Sequence, residues 1–123
     1  MATKPRTRRE ALLRPRYRVL QGREVAIGPG KAELLGHLQE TRSIARAARR
    51  MGMSYMRAWK LIKTTEQCFK RPLVRALRGG AKGGGAELTE TGRKVLELYQ
   101  RLEVLSERAT RVAWRELRGF LRR

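Results

Sequence analysis

The run Ser54-Tyr55-Met56-Arg57-Ala58-Trp59-Lys60 concentrates side chains able to grip or read a polyanion. Arg57 carries a planar guanidinium whose fork can pair with O6 and N7 of guanine; a plain phosphate contact is an equally open reading. Lys60 and Lys63 suit phosphate neighbours, and Ser54, Tyr55 and Met56 are the outward candidates ahead of them. Trp59 has two readings: a wedge into the core, which is favoured, or an indole N–H donated to phosphate. Arg42 and Ser43 stand at the start of the preceding segment, and Arg75, Arg78 and Lys82 flank or enter a glycine-rich run; all five join the candidate contact set. Catalytic chemistry has almost no residues to work with. Cys68 and His37 are each the single residue of their type, so neither an internal disulfide nor a cysteine-based metal site can form. Paired acids are missing, and the glycine run lacks the GxxxxGK[ST] pattern of a nucleotide loop. Neither enzymatic activity nor a cofactor or metal is expected.

Charge points the same way. Across 123 residues, 30 Lys and Arg face 11 Asp and Glu, a formal net charge of +19. Such an excess favours a nucleic acid or an acidic membrane surface as partner. Residues 42–82 hold 12 basic residues and one acid, Glu66, whereas residues 24–41 hold Lys31 against Glu24, Glu33 and Glu40. Basic density therefore peaks inside the fold, which a simple basic tail would not produce. No apolar run approaches the roughly 20 residues of a membrane helix, and the basic N-terminus lacks the apolar stretch of a signal peptide. The expected location is the cytoplasm.

The elements that must position these residues can be read from periodicity and caps. Residues 1–13 read as a basic flexible arm. Tyr17, Val19, Val25 and Ile27 alternate around Gln21-Gly22, a strand-turn-strand signal ended by Gly28-Pro29-Gly30. A first helix is expected over residues 31–40, with Leu34, Leu35 and Leu38 inward. Ser43 can cap a second over 44–51, and Ser54 a third from 55 to about 69. In this pair Ala47 and Ala48 allow close approach, Gly52 makes the turn, Met51 and Met53 flank it, and Ala58, Leu61 and Ile62 form the buried face. That is the chemistry a helix-turn-helix demands. Residues 73–77 and 86–88 read as strands of a hairpin around the glycine run at 79–85, placed as a wing tipped by Lys82.

Thr89 caps a last helix that can extend to residue 120. Val95, Leu98, Leu102, Leu105, Ala109 and Val112 recur in it at steps of three and four, the seam of a coiled coil. The stripe could instead fold back on its own domain, but Leu96, Tyr99, Ala113, Leu117 and Phe120 widen it beyond the needs of one small domain, so a homodimer interface is the favoured expectation. The fold class is thus mainly α with small β-hairpins: a winged helix-turn-helix at residues 14–89 and a dimerisation helix at 90–123.

The runs SIARAARRMGMSYMRAWKLI and LVRALRGGAKGGGAELTETGRKVLELY resemble the DNA-binding domain of the molybdenum-dependent transcriptional regulators of the ModE type, related in fold to LysR-type regulators. Ser54-Tyr55 with Ala58-Trp59, followed by GGxxGGGAxLTxxG, makes the resemblance specific over residues 28–99. It implies a dimer on a palindromic operator of double-stranded DNA, with Ser54, Tyr55 and Arg57 in the recognition helix and residues 79–85 as the wing. The family's longer members continue into β-barrel modules that bind molybdate. This sequence ends at Arg123 in a helical, Arg-rich stretch, so it is expected not to sense molybdate alone, its signal coming either from its own abundance or from a separate sensor protein as partner. The competing class is an RNA-binding or nucleoid-associated basic protein, but Tyr17, Tyr55, Trp59 and Trp114 form no base-stacking platform in sequence. A membrane-surface helix at 93–123 is disfavoured by its glutamates.

Overall fold

A computed structural model of the chain describes residues 10–78 and 85–122. Along these the elements are β1 (Val19–Gln21), β2 (Glu24–Ile27), α1 (Pro29–Thr41), α2 (Ile44–Arg50), α3 (Tyr55–Glu66), β3 (Val74–Ala76), β4 (Ala86–Leu88) and α4 (Glu90–Arg118). The strands form two separate antiparallel hairpins, β1–β2 and β3–β4. This is the expected class, mainly α with small hairpins.

The caps are local chemistry and fall where the sequence puts them. Ser43, Ser54 and Thr89 each accept a hydrogen bond from the backbone N–H three residues on, at Arg46, Arg57 and Gly92. Each satisfies a donor that the first helical turn would otherwise leave unpaired. Two of the boundaries that differ from expectation have a plain physical cause. α1 starts at Pro29, inside the segment read as a break, because proline in a first helical turn has no N–H to lose. α3 stops at Glu66 rather than near Phe69 because Glu66 is employed elsewhere. Its Oε2 accepts from the backbone N–H groups of Leu73 at 2.8 Å and Val74 at 3.0 Å, which pins the start of β3 under the helix end.

Leu34, Leu35 and Leu38 of α1 form the centre of the core, joined by Ala47, Ala48, Ala58, Ile62, Leu73, Leu88, Leu96 and Tyr99. Leu96 and Tyr99 were expected to widen an intermolecular seam; they face inward, 2% and 3% exposed. The first turns of α4 thus complete the domain's own core before the helix runs on. Burial pushes the Tyr99 phenol above its ordinary pKa, with Glu103 adding to the shift. It stays protonated and donates to the carbonyl of Tyr17 at 2.8 Å. The Tyr17 hydroxyl in turn donates to Ser106 Oγ. Residues 10–15 line a groove with Ser106, Thr110 and Trp114 of α4, so the described end of the expected arm lies against that helix. Residues 1–9 lie outside the described residues. Among the described residues no helix is long and apolar enough to cross a membrane.

Candidate nucleic-acid interface

Close approach of α2 and α3 follows from three alanines. Ala47, Ala48 and Ala58 are at most 1% exposed, so the helices meet with little but methyl groups between them. Gly52, at φ +66°, makes the turn in a backbone region that other residues rarely adopt. The N–H of Met53 donates to Ala48 O at 3.0 Å and fixes the exit angle. With Ala58, Ile62 and Thr65 turned inward, the opposite face of α3 is left to solvent.

That face carries Tyr55, Met56, Trp59, Lys60 and Lys63, with Arg57 on its flank, all exposed. Trp59 is a correction: the wedge into the core does not occur. Ala58 and Ile62 fill the inward side, and the Trp59 ring stands 39% exposed with the Lys63 ammonium 5.6 Å from its centroid. The Ser54 and Ser43 hydroxyls are engaged as caps, so both set where α3 and α2 begin.

The candidate cations fall into two groups. Arg42 donates to Glu87 Oε1 at 2.8 Å, and Arg75 Nε donates to Glu87 Oε2 at 2.9 Å. The Arg75 guanidinium, then that of Arg42, holds the Glu87 carboxyl below its ordinary pKa against the opposing effect of desolvation. Lys63 lies 3.5 Å from Glu66. Arg57, Lys60 and Arg78 have no ion pair among the described residues. Glu87 is the residue that sequence reasoning passed over. Its signal was available: a lone carboxylate in the strand that returns from a strongly basic segment.

The β3–β4 hairpin is fastened to the corner between α1 and α2. Arg42 takes a left-handed conformation there, and its carbonyl accepts from Ala86 N at 3.1 Å. A side chain on Gly85 would meet that carbonyl at 2.3 Å, so only glycine lets the hairpin come this close. The expected wing tip at residues 79–84, with Lys82, lies outside the described residues.

Along α4 the expected seam is open to solvent. Leu98, Leu102, Leu105 and Val112 are 44%, 46%, 52% and 64% exposed, Ala109 is exposed, and Val95 is half-buried. Val95, Leu98, Leu102 and Leu105 share an apolar groove with Val19, Ile27 and Phe69.

Three helices with a glycine turn between the second and third, followed by a two-stranded hairpin packed on the helical corner, define a winged helix-turn-helix DNA-binding domain. Residues 31–93 match the family model described as bacterial regulatory helix-turn-helix protein, lysR family, and the chain belongs to that family. It is 34% identical over 105 residues to the molybdenum transport protein ModE of Azotobacter vinelandii, covering 79% of this chain and 39% of that relative. To the DNA-binding transcriptional dual regulator ModE of Escherichia coli K12 it is 36% identical over 81 residues, 66% of this chain and 31% of the relative. The chain therefore spans two fifths or less of the length of these curated relatives. The crystal structure of the CbnR_DBD–DNA complex superposes with a TM-score of 0.56 at 20% identity, covering 72% of this chain and 95% of that one. At that identity the likeness is one of fold.

Proposed function

We propose that the protein is a transcription regulator that binds duplex DNA as a homodimer, with α3 in the major groove and the β3–β4 hairpin against backbone or minor groove. The observation that carries this reading is the exposed face of α3. It presents Tyr55, Met56 and Lys60 with Arg57 beside them, on a helix whose start is fixed by the Ser54 cap. Side chains in that position reach base edges when a recognition helix enters the major groove. The relatives are named as DNA-binding and transcriptional regulators, which supports a regulatory and non-catalytic role in the cytoplasm for this chain too. The half-exposed leucines of α4 support dimerisation, since an apolar stripe at heptad spacing is what one helix offers another.

Competition binding tests the reading. A labelled duplex carrying a selected site should be displaced by the same duplex unlabelled far better than by random duplex or structured RNA. Displacement by structured RNA at equal or lower concentration would contradict it and favour an RNA-binding protein.

A further inference from the structure

A groove of about 300 Å³ opens where β2 and the first turn of α1 meet the flank of α3. Arg16 and Arg18 from the segment before β1, Lys31 of α1 and Arg57 of α3 line it, and no acidic residue does. The convergence has a local cause. The Tyr17 carbonyl is held by Tyr99 and its hydroxyl by Ser106, so Tyr17 faces α4. Its neighbours Arg16 and Arg18 both line the groove, which Tyr17 does not. Lys31 is steadied by donating to the carbonyl of Val25 at 2.6 Å and keeps further N–H groups to offer. Arg16, Arg18 and Arg57 have no ion pair among the described residues, whereas Arg42, Arg50 and Arg75 each face a carboxylate. Four cations in one groove repel one another unless an anion sits among them.

Arg57 also decides which anion. It borders the groove and belongs to the recognition helix, so an anion held there by Arg16, Arg18 and Lys31 lies beside the base pairs that α3 faces. The groove adjoins the N-terminal end of α1, and the hairpin root adjoins Arg42 at its C-terminal end. A helix of 13 residues separates them by about 20 Å, enough to straddle a major groove roughly 12 Å wide. We propose that this groove seats a backbone phosphate of the duplex, gripped by Arg16, Arg18 and Lys31. The inference rests on the duplex-binding reading above.

The test is fluorescence anisotropy with selected-site and random duplexes between about 50 and 200 mM salt, comparing wild type with Arg16→Ala/Arg18→Ala and with Arg16→Lys/Arg18→Lys. Loss of one phosphate contact per protomer of a dimer should make the slope of log K against log salt shallower by about 2. Both duplexes should lose affinity by the same factor, and the lysine pair should retain most of the slope. A thermal melt of the alanine pair, equal to wild type, shows that the fold is intact. An unchanged slope with wild type still binding duplex would overturn the phosphate seat and leave the duplex reading standing. A wild type that ignores duplex would overturn the reading beneath it. Selective loss on the selected site would mean base contact, contradicting the proposal. Inorganic phosphate provides the other arm. If, at constant ionic strength, it raises the melting temperature of wild type but not of the alanine pair while DNA binding is unaltered, the groove holds a free oxyanion and the proposal fails.

Discussion

Two helical glycines that look equivalent in sequence should respond to alanine with opposite signs. Gly92 lies in the first turn of α4, where an added Cβ would sit 2.1 Å from the Leu73 carbonyl oxygen and 3.0 Å from its carbon. Leu73 is fully buried, and its carbonyl already accepts from Thr89 N at 2.8 Å, so it has little room to yield. The helix must retreat by about 1 Å, an overpacking that costs about 1–3 kcal/mol. Alanine returns about 0.5–1 kcal/mol through helix propensity. The net loss for Gly92→Ala is up to about 2.5 kcal/mol and centred on about 1 kcal/mol, a fall of roughly 3–6 °C in melting temperature for a chain of this size. Gly36, inside α1, has nothing within 4 Å of its would-be Cβ. Gly36→Ala should therefore gain about 0.5–1 kcal/mol. Thermal and urea unfolding followed by circular dichroism reads both. Stabilisation by both substitutions would refute the close packing of α4 on Leu73, just before β3.

Three further outcomes are expected. Burying the remaining half of each seam leucine contributes about 1 kcal/mol, so Leu98→Glu with Leu105→Glu should convert a dimer to a monomer in sedimentation and abolish most operator affinity; a wild type monomeric at tens of micromolar would count against the interface. Arg57→Ala should lose about 1–3 kcal/mol on the selected site and relax preference at one base position, whereas equal weakening on random duplex would make Arg57 a phosphate contact. Glu87 has its pKa lowered by Arg75 and Arg42, so its contribution to stability is present above the unfolded carboxylate value and is lost as pH falls through the folded one. Glu87→Gln should be less stable than wild type at neutral pH and converge on it in acid, as urea titrations at both pH values will read; a gap that persists in acid would sink the ionic account.

What could be read from the sequence was local. Ser43, Ser54 and Thr89 cap helices through contacts three residues long, and Gly52 with Ala47, Ala48 and Ala58 encodes the helix pair within one short stretch. Features set by distant partners were not legible as contacts, even where a residue such as Glu87 stood out by its charge. Glu66 ends α3 by reaching Leu73 and Val74, and Glu87 ties Arg42 to Arg75 across the hairpin root. Tyr17 is held by Ser106 from the far end of the chain. The apolar stripe of α4 was too wide for periodicity to divide: Leu96 and Tyr99 close the domain's core while Leu98 and Leu102, two and three positions away, stay outside. Trp59 was misassigned against its own neighbour: Ala58, already read as inward, takes that position and leaves the adjacent indole outside.

That a dimer reads sequence through two copies of α3 is tested most directly by site selection from fragmented genomic DNA followed by footprinting. Recovered fragments should share a palindromic site, with two protected major-groove patches centred about 34 Å apart or a multiple of that distance. Fragments without a common sequence, or a footprint with a single patch at saturating protein, would contradict it.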